Sequence, residues 1–412
     1  MKKRTRLAAA DPRTEPAPTP QVAAAWLRIE SFLEHRAILV VLALVLLATI
    51  RIVTTYSSLS HTFDEPAHIA AGMEWLDKHV YNYEAQHPPL TRVMSALLPF
   101  LTGSRSHGER GMWDEGFAIL FASGSEERTL ALARLGILPF FWIACWVTYA
   151  CTRWIAGAAA AVLAVFFLTT TPAILAHAGL ATTDMGLTAM IWLAFYTGWR
   201  WALDPSWKHA VAFGAFTGLA TLAKLSILAF FPSTVVLLVL LMLILERPGP
   251  SGIDKLILDR LPQLVLAIGI GVLLIWIGYR CSYKVLSSFP YVLPAPEFFD
   301  GIADVSRHNT QGHLTYLLGQ VNTVGWPSFY LVALAVKTPL ALLALGLGGL
   351  ALLFSRKMFG LRGWLVPCAV IGIMAFSSVL SQIRIGTRHV LPVTPTTSHT
   401  SISSAAIGPK IS

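Results

Sequence analysis

Two acidic residues stand side by side in the segment HTFDEPAHIAAG, residues 61–72. Asp64 and Glu65 follow the first long apolar run of the chain. Carboxylates so placed can act as general bases or bind a metal ion. His68 comes four residues after Asp64, a helical spacing that puts it beside Asp64, where it would orient the carboxylate or help to bind a metal. The structural alternative is that the two acids and Pro66 simply begin a helix.

A third acid and a distant histidine are further, separate candidates. Asp184 follows Thr182 and Thr183 at the start of an apolar segment, where a helix cap explains it as well as a functional carboxylate does. His313 lies near Tyr316 in a polar segment, and with a carboxylate partner it could hold Mg²⁺, Mn²⁺ or Zn²⁺. A histidine bonded to its own loop is the alternative.

The composition places these residues in an integral membrane protein. Of 412 residues, 55% are hydrophobic and 13% are charged, and the mean hydropathy is +0.62. Water would not keep such a chain folded as a globule. The net charge of +9 is explained by basic residues between apolar segments, so we expect the lipid bilayer and no nucleic acid as a partner. The four cysteines have no C-x-x-C spacing, which indicates neither a disulfide framework nor a thiolate metal site.

Apolar runs recur along the chain, and each is close to the ~20 residues that a helix needs to cross a bilayer. They predict an all-α, polytopic fold of about nine transmembrane helices. The first run, AILVVLALVLLATI, is predicted to be an uncleaved anchor. It follows a basic segment, residues 1–35, that we expect to be disordered and cytoplasmic. The further runs lie at residues 129–152, 156–178, 184–203, 208–223, 225–246, 261–280, 328–354 and 363–382.

Basic residues predict the orientation of these helices, because they fall in alternate short connections, which should be cytoplasmic. They are Arg153, Arg200, Lys208, Arg247, Lys255, Arg260, Arg356, Lys357 and Arg362. The remaining connections then face outward, chiefly two loops at about residues 56–128 and 281–327, where most of the other acids collect. Within the first outer loop, PPLTRVMSALLPFL has apolar residues spaced for a helix lying in the membrane interface. Any chemistry is therefore predicted on the extracytoplasmic face.

Several motifs on that face carry a family resemblance. They are the Asp-Glu pair after the first span, HPPL at 87–90, LATTD at 180–184, GHLTYLLGQVNTVGW at 312–326, YLVALAVKTPL at 330–340 and GTRHVLP at 386–392. In this order they resemble the polyprenyl-phosphate-sugar-dependent glycosyltransferases of the family 39 type. These are GT-C membrane enzymes related to protein O-mannosyltransferases and aminoarabinose transferases. The likeness covers roughly residues 40 to 392.

The resemblance implies an activity and roles for the acids. Such enzymes move a sugar from a polyprenyl phosphate carrier to a hydroxyl of a protein, lipid or envelope glycan by an inverting single displacement. Because the lipid phosphate leaves as an anion, the reaction needs mainly a base and charge compensation. The resemblance makes Asp64 the base and Glu65 a weaker candidate. It makes Asp184 an acceptor-binding or metal-linked carboxylate.

The resemblance also suggests substrate-binding residues. In relatives the HPPL segment lines the active site, which makes His87 a candidate, although a turn before a helix also explains it. Cations for the donor phosphate are sought on the outer face, and Arg388, with His389, is preferred because an arginine fork suits phosphate oxygens. The other cations considered are Lys337, Arg384 and Lys224. Snorkelling of these side chains to the lipid headgroups is the alternative.

Two other classes of function stay open at this stage. Many spans with a few charges also describe transporters, although the charges here gather at span ends rather than near the midplane. The second alternative follows from the C-terminus, where residues 393–412 are polar and cannot form a span, whereas relatives continue with further apolar spans. We therefore expect a GT-C-like domain at residues 36–392 followed by a disordered tail. A truncated, non-catalytic protein that binds a lipid-linked sugar is then the alternative.

Overall fold

The computed structural model describes residues 20–122, 124–246, 250–286, 289–355, 360–384 and 386–393. The predicted C-terminal tail and most of the predicted N-terminal tail lie outside these residues. The first helix begins at Pro20, within the segment 1–35 that was predicted to be disordered.

The described chain is mostly helical. Its helices are α1 (Pro20–Val53), α2 (Glu65–Met73), α3 (Pro89–Leu101), α4 (Met112–Ala122), α5 (Glu126–Leu135), α6 (Leu138–Ala156), α7 (Ala158–Thr170), α8 (Pro172–Ala178), α9 (Asp184–Leu203), α10 (Trp207–Ala223), α11 (Ile227–Glu246), α12 (Pro250–Gly278), α13 (Pro296–Gln311), α14 (Phe329–Lys337), α15 (Leu340–Ser355) and α16 (Leu365–Ala375). A π-helical turn extends α2 through Glu74–Lys78 and another extends α16 through Phe376–Leu380, while 3-10 turns cover Gly360–Trp364 and Thr387–Val393.

Two antiparallel hairpins complete the structure, and both lie in the predicted second outer loop. They pair β1 (Tyr283–Leu286) with β2 (Phe289–Pro294), and β3 (Thr315–Leu317) with β4 (Gln320–Asn322).

Helices occupy all nine segments that were predicted to cross the membrane. Among the described residues, five helical segments are long and apolar enough to do so, or seven if the bent pairs α7/α8 and α14/α15 each form one span. The other two predicted spans are α9 and α10. The first carries Asp184 and Arg200 near its two ends, and the second has 17 residues. The polytopic helical fold predicted from the sequence is thus confirmed.

Helix α9 lies in the middle of the core, because all its residues from Asp184 to Phe195 are buried. The buried indole of Trp192 donates to the Pro392 carbonyl at 2.8 Å, which fixes the 3-10 turn Thr387–Val393 against this helix. Helix α10 packs closely on α12 at Gly214, where a Cβ atom would lie 2.2 Å from the Ala267 carbonyl oxygen. The core therefore positions both the start of α9 and the segment after α16.

Arginine side chains gather at the end of the bundle that was predicted to be cytoplasmic. There, the guanidinium groups of Arg200 and Arg362 lie 5.5 and 5.2 Å from the ring centre of Trp154. Nearby, Arg260 donates to the Ala202 carbonyl at 2.6 Å, so connections predicted to be cytoplasmic come together. These groups lie at the far end of α9 from Asp184.

The two predicted outer loops meet each other. The Trp75 indole donates to the Gly278 carbonyl at 2.9 Å, and Arg280 donates to the Trp75 carbonyl at 3.2 Å. Farther along, His308 Nδ1 lies 3.1 Å from Gln86 Oε1, which joins α13 to the first loop.

Candidate active site

A cavity of about 970 Å³ lies where the two outer loops meet the ends of the helices. Its walls come from the start of α2, the segment before α3, the start of α9, the α10–α11 connection, α13 and the turn after α16. Eight residues that the sequence singled out line it: Asp64, His68, His87, Asp184, Lys224, His313, Arg388 and His389. The fold therefore collects in one space groups that are far apart in the sequence.

Asp64 and Arg388 form an ion pair on the cavity wall. Their side chains are 29% and 34% exposed, so both are accessible to a ligand. Asp64 directly precedes α2, but its side chain makes no capping hydrogen bond to that helix. Its carboxylate instead faces the guanidinium of Arg388, whose pKa is raised because Asp184 and Asp64 outweigh the opposing effect of burial. The helix-cap alternative thus does not describe the Asp64 side chain.

Glu65 points into the protein and is fully buried. Its carboxylate accepts hydrogen bonds from Arg134 at 2.8 and 3.0 Å. It also accepts from the backbone N–H of Thr62 at 2.7 Å and of Ala181 at 2.9 Å. Glu65 does not line the cavity; it connects α2, α5 and the segment before α9. The adjacent acids of the DE pair thus have different surroundings.

Asp184 and Lys224 form a second acid–cation pair in the cavity. Lys224 Nζ donates to Asp184 Oδ1 at 2.6 Å, and both side chains are almost completely buried. Lys224 ends α10 in an extended conformation, which turns its side chain toward the start of α9. On the other carboxylate oxygen, Thr182 Oγ1 lies 3.5 Å away and His177 Nδ1 lies 3.9 Å away. Because it is enclosed in this way, Asp184 is less accessible than Asp64.

A buried polar network forms another part of the wall. The Arg92 guanidinium pairs with Glu84, donates to the Tyr81 hydroxyl at 3.1 Å, and donates through Nε to His68 Nδ1 at 3.0 Å. Glu84 Oε2 also lies 3.0 Å from His87 Nδ1. Burial acts to raise the pKa of Glu84, but Arg92 and His87 outweigh it and hold the pKa well below its usual value. Burial raises the pKa of Tyr81 to about 12.

Arg92 and Glu84 were not among the residues predicted from the sequence. Arg92 occupies the same face of α3 as the buried residues Pro89 and Ala96, where a basic side chain is unusual. A basic residue on the apolar face of a predicted amphipathic helix is therefore the sequence signal that could have identified Arg92 as a buried arginine with a specific partner.

The remaining predicted residues lie outside the cavity lining. Tyr316, on β3, is 67% exposed, and Lys337, at the end of α14, is also exposed. Arg384 is buried and donates to the carbonyls of Val324 and Ser378, each at 2.7 Å. His313 lines the cavity at its α13 side, where its Nδ1 lies 3.1 Å from the Leu314 carbonyl oxygen.

The carboxylates of the cavity face cations rather than one another. Asp64, Asp184 and Glu84 are paired with Arg388, Lys224 and Arg92, respectively. Within the described ranges, no three His, Cys, Asp or Glu side chains converge on a point where a metal ion could bind. This donor set does not fit the Mg²⁺, Mn²⁺ or Zn²⁺ considered for His313.

Comparison with known proteins agrees with this architecture. Residues 120–279 match the family described as dolichyl-phosphate-mannose-protein mannosyltransferase. The crystal structure of ArnT from Cupriavidus metallidurans bound to undecaprenyl phosphate is similar, with a TM-score of 0.64 over 90% of this chain and 16% identity. The two proteins therefore share a fold. The resemblance predicted from the sequence is thus confirmed at this level.

The apo structure of the same ArnT matches with a TM-score of 0.57 over 94% of this chain, also at 16% identity. In both cases this chain spans 61% of the length of the ArnT chain. A comparison with curated proteins gave no match. A likeness at this level of identity concerns the GT-C fold alone.

Proposed function

We propose that the protein is a membrane glycosyltransferase that moves a sugar from a polyprenyl phosphate to an acceptor hydroxyl on the extracytoplasmic face. The observation that carries this proposal is the cavity itself. It combines one accessible carboxylate, Asp64, with two cations, Arg388 and Lys224. The similar ArnT structure was determined with undecaprenyl phosphate bound, which supports a lipid phosphate as the donor carrier.

The reaction is an inverting single displacement with Asp64 as the base. The acceptor hydroxyl gives its proton to the Asp64 carboxylate while its oxygen attacks the anomeric carbon of the sugar. The bond between that carbon and the phosphate oxygen breaks, and its electron pair stays on the departing lipid phosphate. Cations fixed near that oxygen stabilise the developing charge. Arg388 and Lys224 are the cavity residues suited to this task.

The Asp64–Arg388 ion pair gives the donor phosphate a part in preparing the base. While Arg388 donates to Asp64, one carboxylate oxygen is occupied by that hydrogen bond. An arginine can engage phosphate oxygens through its planar fork of donors. When the donor phosphate takes over the guanidinium, the Asp64 carboxylate becomes available to the acceptor hydroxyl.

The other two acids have supporting roles in this proposal. Asp184 holds Lys224 at 2.6 Å and is almost inaccessible, which favours orientation of that cation over proton abstraction. Glu65 is saturated by hydrogen bonds away from the cavity and stabilises the loop that carries Asp64.

A transfer assay tests the role of Asp64. The purified chain in lipid nanodiscs is given polyprenyl phosphate donors that carry different sugars, together with candidate acceptors. We expect Asp64→Asn to reduce transfer by about 10²-fold or more, the usual contribution of a general base, without loss of folded protein. The matched control is Asp114→Asn, which changes an exposed acid in the same loop. Transfer by Asp64→Asn at the rate of the Asp114→Asn control would reject Asp64 as the base.

The native cysteines allow a test of the side on which the cavity opens. Cys281 is exposed and begins the loop that leads to α13, whereas Cys145, Cys151 and Cys368 are buried. A membrane-impermeant maleimide added to intact cells should therefore label the protein, and Cys281→Ser should remove the label. Labelling only after the cells are opened would place this loop, and the cavity with it, in the cytoplasm.

The same assays separate the alternatives raised by the sequence. A non-catalytic lipid-binding protein would retain the donor but show no transfer with any acceptor. A transporter would move a soluble solute without a lipid-linked sugar. The acid–cation pairs at the cavity lie at helix ends and in loops, an arrangement that favours chemistry at the membrane surface.

A further inference from the structure

Two histidines on the cavity wall have no assigned step in the proposed reaction. His68, on α2, and His87, before α3, both line the cavity, and their ring centres are 5.2 Å apart. The Glu84–Arg92 ion pair links the two rings, because Arg92 contacts His68 and Glu84 contacts His87. These contacts determine where each ring carries its hydrogen.

Arg92 determines which ring nitrogen of His68 carries the hydrogen. Arg92 Nε donates to His68 Nδ1 at 3.0 Å, and both side chains are buried. An arginine has hydrogen-bond donors but no acceptor, so His68 Nδ1 must offer a lone pair. The ring is therefore neutral with its hydrogen on Nε2. His68 presents a donor at that atom.

The Glu84 carboxylate determines which ring nitrogen of His87 carries the hydrogen. His87 Nδ1 lies 3.0 Å from Glu84 Oε2, and Arg92 pairs with the same carboxylate. An ionised carboxylate only accepts hydrogen bonds, so His87 Nδ1 must carry the hydrogen. In the neutral ring, Nε2 is then left with a lone pair. His87 presents an acceptor at that atom.

Burial supports the neutral form of both rings. It lowers the pKa of His68 and the pKa of His87, and the charge of Arg92 acts in the same direction on both. Glu84 opposes this effect. Neither Nε2 atom has a hydrogen-bond partner within the part of the chain that the structure describes.

We propose that His68 and His87 form a hydroxyl-binding subsite, in which His68 Nε2–H donates to the oxygen of a ligand hydroxyl and His87 Nε2 accepts its hydrogen. A hydroxyl is both a donor and an acceptor, so it matches this pair of opposite tautomers. A spacing of 5.2 Å between ring centres allows one oxygen to reach both nitrogens. Arg92 and Glu84 are the positioning residues, because each acts through a histidine.

The inference rests on the proposed function for the identity of the ligand. The hydroxyl belongs either to the sugar of the lipid-linked donor or to the acceptor, and both present the same group to the subsite. In either case the subsite selects a ligand that has a hydroxyl at one position, because an analogue without it leaves both nitrogens unpaired.

The tautomers can be measured without any transfer activity. Nitrogen-15 NMR of histidine-labelled protein in nanodiscs distinguishes protonated from unprotonated ring nitrogens, and His68→Gln and His87→Gln assign the signals. We expect hydrogen on Nε2 of His68 and on Nδ1 of His87. Arg92→Lys should redistribute the His68 tautomers and leave the His87 signal in place. The same tautomer on both rings would overturn the proposal.

Ligand binding then locates the hydroxyl. The probes are undecaprenyl phosphate alone and undecaprenyl phosphate carrying mannose, glucose or arabinose, with acceptor KM measured in the transfer assay. His68→Met and His87→Met each remove one of the two nitrogens. If the hydroxyl is on the donor, each variant should bind a sugar-bearing probe about 10-fold more weakly and should bind undecaprenyl phosphate as the wild type does. If it is on the acceptor, donor binding is unchanged and the acceptor KM rises by a similar factor.

The conservative variants exclude a merely structural effect. Glutamine places a donor and an acceptor near the position of Nε2, so His68→Gln and His87→Gln should stay within about 3-fold of the wild type, as expected when the hydrogen bond is retained. Equal losses in the Gln and Met variants, or no effect of either, would overturn the subsite. These outcomes are independent of Asp64→Asn, so the subsite and the proposed function can fail separately.

Discussion

The buried Glu65–Arg134 pair allows a quantitative test of why two acids stand together after the first span. Arg134→Met removes the cation and leaves Glu65, which is 0% exposed, as an unpaired charge. Breaking a buried pair in this way costs about 3–5 kcal/mol. Arg134 also donates to the carbonyls of Leu59 and Ser60, each at 2.8 Å, and each lost bond adds about 1 kcal/mol. The expected loss of unfolding free energy is thus about 5–7 kcal/mol, a large part of the total stability of a typical domain.

The assay is denaturant unfolding of the purified protein in mixed micelles, followed by tryptophan fluorescence. Glu65→Gln combined with Arg134→Met should recover part of the loss, because no buried charge then remains. Arg307→Met serves as the control, since Arg307 is 67% exposed in its pair with Asp304 and its loss should cost at most about 1 kcal/mol. An Arg134→Met variant as stable as this control would refute the reasoning. If Glu65→Gln abolished transfer at unchanged stability, Glu65 would be catalytic.

Two further predictions concern stability. His389 has a folded-state pKa lowered by burial to about 3, so below its unfolded value of about 6.5 only the unfolded chain gains the proton. Protonation of His389 in the unfolded chain should therefore lower the unfolding free energy by up to about 1.4 kcal/mol per pH unit between pH 6.5 and 5, and His389→Gln should remove this part of the slope in unfolding curves. Gly116→Ala places a Cβ atom 2.2 Å from the Pro66 carbonyl oxygen and should cost about 1–3 kcal/mol by thermal unfolding, whereas Gly269→Ala, in open space on α12, should be neutral or stabilising.

The helical framework could be predicted from the sequence because each span is recorded locally, as a run of apolar residues of bilayer length. All nine predicted segments are helical, including α9, which has charged residues near both ends, and α10, which has 17 residues. The family motifs also pointed to the correct fold, because several of them lie on segments that meet in one cavity.

The roles of individual charges depended on partners that the sequence does not reveal. Asp64 and Glu65 are neighbours of similar type, yet one faces Arg388 and the other faces Arg134. Arg92 and Glu84 were missed because their importance comes from burial and from contacts with the two histidines. Tyr316 and Lys337 lie in two of the motifs that carry the family resemblance, but the β3–β4 hairpin and the end of α14 expose them outside the cavity lining. Such outcomes are decided by tertiary packing.

The ion pair between Asp64 and Arg388 also has a consequence for biosynthesis. The two residues are separated by 324 positions, and Arg388 follows the last helix described. At ~5–20 residues per second, a ribosome would need roughly 16 to 65 s to make the intervening chain. Throughout that time a nascent chain already inserted at α1 would display Asp64 without its cation. In the proposed mechanism, a polypeptide made only as far as α16 would not consume lipid-linked sugar, because the turn Thr387–Val393 that carries Arg388 would not yet have docked.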